Sequence, residues 1–159
     1  MSEAHPRPRV VFDCMVYLQA TVNESGPAAA LLRLVDRDAI ALFVSREVLE
    51  EVRAVLARPK IRRRNPAITD ERVEALLRRV ADKATLCPEV RQHFTYARDP
   101  KDEKYLNLAI DVAAEYLVSR DKDLLDLMTD AAEEGQDFRR RFPALRIIEP
   151  VEFLRTVRS

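Results

Sequence analysis

Residues 39–57 read AIALFVSREVLEEVRAVLA, and their apolar pattern changes in the middle. Residues 39–44 form a continuous apolar run, which is typical of a strand buried on both faces of a sheet. In residues 46–57 the apolar side chains recur every three or four positions, which predicts an amphipathic helix. Ser45 lies where an N-cap is favoured, and Pro59 follows the predicted end of the helix. The stretch therefore predicts a strand followed by a helix, the repeating unit of an α/β fold.

The same alternation continues on both sides of this unit. Short apolar runs predict further strands at residues 9–12, 85–87, 116–118 and 146–148, and amphipathic stretches predict helices at residues 27–38, 70–84, 121–128 and 150–157. Another helix is predicted to begin with Pro100 behind a cap at Asp99, and residues 58–66 are predicted as a basic loop. After a disordered N-terminal tail at residues 1–8, we predict a single α/β domain over residues 9–159. Its central parallel sheet is expected to be covered by helices on both faces.

Composition excludes some classes of protein and leaves others open. The chain has 159 residues, of which 47% are hydrophobic, enough for one core without disulfides. Its 27 basic and 27 acidic residues balance, which argues against a surface that binds nucleic acid everywhere but allows a local basic patch. Cys14 and Cys87 lie in no metal-ligand spacing, and we expect no disulfide. With no signal-like or membrane-length apolar stretch, we expect a cytoplasmic protein without a membrane partner.

Acidic residues occur where the predicted strands end. Asp13 comes directly after the first strand, and Asp121 comes shortly after the strand that ends at Val118. Asp123 lies two residues further on, and Asp102 lies in the first turn of its predicted helix. Ligands of open α/β sheets bind outside the carboxyl ends of the strands, so we expect these carboxylates to gather at one edge of the sheet.

Such a group of carboxylates needs a cation, because each bare carboxylate near another costs free energy or takes up a proton. Carboxylate oxygens and water suit Mg²⁺ or Mn²⁺, and the lack of thiolate and imidazole ligands argues against zinc. Glu51 lies at the border of the apolar arc of its helix and is expected to reach this edge, whereas Glu50 points to solvent. Structural roles stay open as alternatives. Asp102 complements a helix dipole, Asp121 can cap a helix, and Asp99 is more readily explained as a cap than as a ligand.

Four segments together resemble the PIN domain family and, within it, toxins related to VapC of toxin–antitoxin systems. They are VVFD at residues 10–13, SREVLEEV at residues 45–52, DPKDEKYL at residues 99–106 and VSRDKDLL at residues 118–125. Each motif is short, but the order and spacing of all four are specific. The resemblance implies a PIN-like α/β/α sandwich and a metal-dependent endoribonuclease that uses Mg²⁺ or Mn²⁺ to hydrolyse RNA. It also implies a small antitoxin protein as partner and a homodimer.

The resemblance assigns roles to individual residues. It implies catalytic acids and metal ligands at Asp13, Glu51, Asp102 and Asp121, with Asp123 as a further ligand. Asp99 and Ser119 would support these ligands without binding the metal themselves. Relatives usually carry a small polar residue at the position of Met15, and Gln19 would replace it.

The basic segment is a candidate RNA-binding surface. Arg58, Lys60, Arg62, Arg63 and Arg64 crowd together, and their phosphate contacts would bind RNA without sequence choice. A solvated surface with local salt bridges is an equally good interpretation.

Two other functions stay open. One is a PIN-fold module that binds RNA or protein with little or no catalysis, which Met15 supports. The other is an aspartate-dependent phosphatase, which would normally need a second aspartate where Met15 stands.

Overall fold

The structure, a computed structural model, describes residues 7–129 and 131–158. Over these residues the centre of the fold is a sheet of five parallel strands in the order β3-β2-β1-β4-β5. The strands are β1 (Arg9–Phe12), β2 (Ala41–Ser45), β3 (Thr85–Cys87), β4 (Tyr116–Val118) and β5 (Arg146–Ile148). The predicted parallel α/β sheet is confirmed.

Helices connect the strands and cover the sheet. They are α1 (Cys14–Val22), α2 (Pro27–Asp36), α3 (Arg46–Ala57), α4 (Pro59–Arg64), α5 (Asp70–Lys83), α6 (Glu103–Asp111), α7 (Lys122–Asp126), α8 (Glu133–Arg141) and α9 (Pro150–Arg158). A 3₁₀ turn, Pro100–Asp102, leads into α6. None of the helices within the described ranges is long and apolar enough to cross a membrane.

The helices form two layers. Connections between parallel strands are right-handed as a rule, and with this strand order the rule places the helices of the β1–β2 and β2–β3 connections on one face and those of the β3–β4 and β4–β5 connections on the other. In agreement, α2 contacts α1 and α9, whereas α6 packs on β1, β2 and β4. The apolar residues of β1 and β4 are buried between the layers. The predicted sandwich, with helices on both faces of the sheet, is therefore confirmed.

The strand order reverses between β1 and β4. From β1 the chain moves outward through β2 to β3, and from β4 it moves in the opposite direction to β5. A crevice opens at such a switch point, outside the carboxyl ends of the two central strands. Phe12 pairs with Val118 in register, and the Asp13 N–H donates to the Val118 carbonyl at 3.2 Å. The residues that follow β1 and β4 therefore lie side by side at this crevice.

Two hydroxyl side chains cap helices of the fold, and the first of them, Ser45, was predicted from sequence. The Ser45 hydroxyl accepts a hydrogen bond from the Val48 N–H at 3.1 Å, and α3 covers residues 46–57 as predicted. The Thr69 hydroxyl likewise accepts from the Arg72 N–H at 3.1 Å. Each cap satisfies an N–H that has no partner within its own helix.

Three stretches differ from the sequence prediction. The basic loop predicted at residues 58–66 is wrong, because residues 59–64 form α4 with Pro59 in its first turn. Helix α1 was not predicted, because Val16, Tyr17 and Leu18 are all buried and leave no polar face to reveal a helical period. Helix α8 was missed for the opposite reason, since its sequence is strongly polar and its buried residues are only Gly135 and Phe138.

The expected N-terminal tail stays a prediction. Residues 1–6 lie outside the described residues. Of the remaining two, Arg7 is exposed and forms an ion pair with Asp38, and the Pro8 carbonyl accepts a hydrogen bond from the Ala41 N–H at 2.8 Å.

Candidate functional site

Four carboxylates meet at the carboxyl edge of the sheet. One oxygen from each of Asp99, Asp102, Asp121 and Asp123 lies within 4.8 Å of the others. Asp99 and Asp102 come from the cap and the end of the 3₁₀ turn before α6, and Asp121 and Asp123 come from the N-cap and the first turn of α7. Two segments that are distant in sequence therefore contribute two carboxylates each. We call these four residues the aspartate cluster.

Local backbone structure holds two of these carboxylates in place. Asp121 caps α7, and its Oδ1 accepts a hydrogen bond from the Asp123 N–H at 2.8 Å. Asp99 caps the 3₁₀ turn, and its Oδ1 accepts from the Lys101 N–H at 3.2 Å. A carboxylate has two oxygens and several lone pairs, so a cap leaves capacity for a ligand. The cap role that the sequence favours for Asp99 therefore does not remove it from the cluster.

Asp102 is the least satisfied member of the aspartate cluster. Its side chain is buried, with 7% of the residue exposed, and within the described part of the chain its Oδ2 has no hydrogen-bond partner. Burial raises the pKa of Asp102 well above its usual range, and the charges of Asp121 and Asp99 raise it further. A buried oxygen without a partner costs free energy. A cation at this position would remove that cost.

Asp13 lies beside the aspartate cluster and is bound to it through Ser119. Asp13 caps α1, where its Oδ1 accepts from the Val16 N–H at 3.2 Å, and its Oδ2 accepts from the buried Ser119 hydroxyl. The same Ser119 oxygen accepts from the Asp121 N–H at 2.9 Å. Burial raises the pKa of Asp13 to about 6, and the charge of Asp121 contributes to the increase. Ser119 thus fixes the position of Asp13 relative to Asp121.

Glu51 reaches the same region but is neutralised by a lysine. Its Oε2 accepts from Lys104 Nζ at 3.0 Å, and its Oε1 accepts from the Tyr105 hydroxyl. Lys104 Nζ also donates to the Lys101 carbonyl at 2.8 Å. Glu51 is therefore not one of the four close carboxylates, although its helix phase brings it to this side of the sheet as expected.

The space between Asp13 and Glu51 contains the thiol of Cys14. Burial raises the pKa of Cys14 to about 11, and the charges of Glu51 and Asp13 contribute to the increase. Burial and the neighbouring Cys14 also raise the pKa of the Tyr105 hydroxyl strongly. Both groups stay protonated near neutral pH, so Cys14 and Tyr105 act here as neutral neighbours of the acids.

The sequence did not predict the contacts that three residues make with the acids of this region. These residues are Arg98, Lys104 and Tyr105. The Arg98 guanidinium pairs with Asp123 and Asp126, each at 2.7 Å. These partners lie at least 25 residues from Arg98, and Lys104 lies 53 residues from Glu51. The sequence signal for Tyr105 was its place in the buried stripe of its helix, which predicts a core residue and does not indicate a hydrogen bond to Glu51.

Among the described residues, the structure does not show a hydrogen bond from Gln19 to the acids that it was expected to support. It lines a pocket together with Asn23 and Arg120, and no hydrogen bond joins its side chain to the acids of the described region. Met15 is 43% exposed at the start of α1. The expected replacement of a polar group by Gln19 therefore stays a prediction.

The basic residues lie on α4, further along the chain from Glu51. Arg58, Lys60, Arg63 and Arg64 are exposed. Arg62 differs, because its guanidinium pairs with Asp70 at 2.6 Å and donates to the Leu56 carbonyl at 2.8 Å. Seven residues separate Glu51 from Arg58, which corresponds to about 10 Å along a helix. Arg62 therefore has a structural role, and RNA binding by the four exposed cations stays a prediction.

The chemistry of the cluster suits a hard divalent cation. Its donors are all carboxylate oxygens, which Mg²⁺ and Mn²⁺ prefer. Asp102 is buried among these acids, and its Oδ2 has no partner among the described residues, so a cation or a proton is needed to offset its charge.

Comparison with known proteins agrees with this architecture. A family model described as PIN domain matches residues 9–123, from β1 into α7, and includes Asp13, Glu51 and the aspartate cluster. The chain is also similar to a protein of Methanocaldococcus jannaschii named "Uncharacterized protein MJ1680". The two are 25% identical over 146 residues, which is 92% of this chain and 89% of that protein. That name states no activity. The family model, which covers most of the chain, shows that this chain belongs to the PIN domain family.

Proposed function

We propose that this protein is a metal-dependent endoribonuclease that hydrolyses RNA phosphodiester bonds. Its cofactor is Mg²⁺ or Mn²⁺, bound by the aspartate cluster beside Asp13. The observation that carries the proposal is the buried Asp102 carboxylate, which contributes one oxygen to the group of four acids and whose Oδ2 has no partner among the described residues. PIN domain membership supports a nuclease, and nucleases of this kind usually use divalent metals.

The arrangement supports a specific division of roles. Asp102, Asp121 and Asp123 would bind the cation, and Asp99 would join them because its carboxylate lies within the same 4.8 Å group. Asp13 would complete the site through its link to Asp121 by way of Ser119. Glu51 would contribute to the electrostatic potential at the site without binding the cation directly, because Lys104 already neutralises the charge of Glu51.

Hydrolysis replaces the bond between phosphorus and the 3′-oxygen by a bond to water. The products then carry a 5′-phosphate and a 3′-hydroxyl. A bound cation would lower the pKa of its water and offset the charge that develops on the phosphate. Ser119 holds Asp13 and the Asp121 backbone at a fixed spacing, and Arg98 restrains Asp123. These contacts hold the acids in place before substrate arrives.

Cleavage by the purified protein is the direct test. With Mg²⁺ or Mn²⁺ it is expected to cut end-labelled single-stranded RNA, and chelation by EDTA is expected to stop the reaction. The product ends are identified by their response to phosphatase and to RNA ligase. A protein that leaves varied RNAs intact in the presence of either metal would not be the enzyme proposed here.

The resemblance to VapC-type toxins extends the proposal to the biological role. We propose that the enzyme is the cytoplasmic toxin of a toxin–antitoxin pair, inhibited by a small protein and active as a homodimer. An isologous dimer is the commonest form of self-association. Light scattering of the purified chain is expected to give twice the monomer mass, and a monomer at high concentration would remove the dimer from the proposal.

A second function has its own supporting observation. Glu51 is paired with Lys104, and Met15 places an exposed apolar side chain near the acids. Both features fit a PIN-fold module that binds RNA or protein with weak catalysis or none. Such a module would bind RNA without cutting it, and its melting temperature would not respond to divalent metal.

A further inference from the structure

A pocket of about 220 Å³ opens next to the candidate active site. It reaches the site at two points. Val16 lines the pocket and donates its backbone N–H to Asp13, and Arg120 lines the pocket and directly precedes Asp121. Pro150, at the start of α9 after β5, closes another side. The pocket therefore lies at the same edge of the sheet as the acids, displaced towards β5.

The walls of this pocket are mostly apolar. They include Val16, Ala28, Pro150 and Val151, and Val151 is 46% exposed. Pockets for whole drug-sized ligands have volumes of about 300–1,000 Å³. The smaller volume here fits a single flat ring system better than a complete cofactor. Apolar walls of this kind contact the faces of a nucleobase well.

Four polar side chains line the same pocket; Asn23 accepts a hydrogen bond from the Ser25 N–H, and the other three are free to bind a ligand. They are Gln19, Arg120 and Glu149, and within residues 7–129 and 131–158 their side chains form no hydrogen bond or ion pair. Arg120 and Glu149 have opposite charges yet do not pair with each other. A ligand with N–H donors on one side and acceptors on the other would satisfy both.

We propose that this pocket binds a guanine base of the RNA, next to the phosphate that is cut. Guanine has two adjacent N–H donor groups, N1 and the 2-amino group, which match the two oxygens of the Glu149 carboxylate. It also has two adjacent acceptors, O6 and N7, which match the Arg120 guanidinium. Adenine, cytosine and uracil lack this combination. The proposal rests on the ribonuclease function proposed above and adds a base preference to it.

Nucleoside binding tests the pocket without any need for cleavage. Guanosine, adenosine, cytidine and uridine are titrated into isotope-labelled protein in EDTA, and amide shifts are followed by two-dimensional NMR. Guanosine is expected to shift the signals of Gln19, Gly26 and Val151 more than the other nucleosides do. Glu149→Gln keeps the shape of the side chain but loses one acceptor, and it is expected to weaken guanosine binding about tenfold.

Glu152→Gln is the matched control, because Glu152 lies in the first turn of α9, three residues after Glu149, pairs with Arg155 and does not line the pocket. It is expected to bind guanosine as the wild type does. Equal shifts with all four nucleosides, no shifts at all, or an equal loss in both variants would overturn the proposal.

Mapping of the cut positions connects the pocket to RNA. The wild type is expected to cut preferentially next to guanine, and Glu149→Gln is expected to lose this preference while still cutting. Cleavage without any preference for guanine overturns the proposal, even if free guanosine binds. If no RNA is cut with either metal, the ribonuclease function fails, and guanosine binding then decides separately whether the pocket recognises guanine.

Discussion

Asp102→Asn is expected to abolish metal-dependent RNA cleavage and to stabilise the metal-free protein. Removing one carboxylate from the aspartate cluster weakens cation binding, and we expect activity to fall by at least about 100-fold. The same change removes a buried charge and lets an amide N–H donate to a neighbouring carboxylate, such as Asp121. We therefore expect the free energy of unfolding at pH 8 to rise by roughly 1–2 kcal/mol. Urea unfolding in EDTA measures the gain, and the cleavage assay measures the loss.

Asp82→Asn provides the matched control for this experiment. Asp82 is exposed on α5, and no ion pair involves it in the described part of the chain. The control is expected to keep both wild-type activity and wild-type stability. If Asp102→Asn unfolds more easily than the wild type in EDTA, Asp102 is a structural residue and its role in the proposed metal site is lost.

The stability of the metal-free protein is expected to fall as pH rises from about 4 to 8, and divalent metal is expected to reverse this. Burial raises the pKa of Asp13 from 3.8 to about 6 and raises that of Asp102 as well. A carboxyl group whose pKa is higher in the folded than in the unfolded protein stabilises the fold at pH values below its unfolded pKa. This stabilisation is lost as the pH rises through the pKa of the folded state. Each pKa unit corresponds to about 1.4 kcal/mol, so ionising Asp13 alone costs about 3 kcal/mol.

Thermal melts at pH 5 and pH 8, with EDTA or with Mn²⁺, check this dependence. Protons and metal compete for the same oxygens, so Mn²⁺ is expected to raise the melting temperature more at pH 8 than at pH 5. Asp102→Asn is expected to flatten the pH profile in EDTA and to reduce the effect of Mn²⁺. A metal-free protein that becomes more stable from pH 5 to pH 8 would contradict the proposed cost of these buried acids.

The fold was predictable because each strand is a short apolar run and most helices carry an apolar stripe. Residues 46–57 and their Ser45 cap follow from local rules alone. Helix α1 did not, because its sequence is apolar on nearly every side, and α8 did not, because it is almost wholly polar. In both cases the surrounding structure decides the conformation, and the local pattern does not reveal it.

The candidate site was predictable only in part. The positions of Asp13 and Asp121 follow from the topology, because an acid after a central parallel strand lies at the switch point. The pairing of Glu51 with Lys104 has no local signal, since it joins two helices far apart in sequence. The role of Asp99 was harder to predict. Its neighbours in sequence identify it as a cap, but only the tertiary fold brings its carboxylate close to the other three acids.

Asp13 and Asp102 differ in what they contribute to the stability of the fold when the protein has no need to bind a metal. Asp13 caps α1, so a lineage that stopped cutting RNA would still be selected for an acid or another capping residue at position 13. Asp102 has a buried oxygen without a partner among the described residues, and in the metal site proposed above that oxygen destabilises the fold whenever no cation is bound. Relaxed selection would remove it early. Among descendants of a common ancestor, an acid at position 102 is therefore the better mark of a working enzyme.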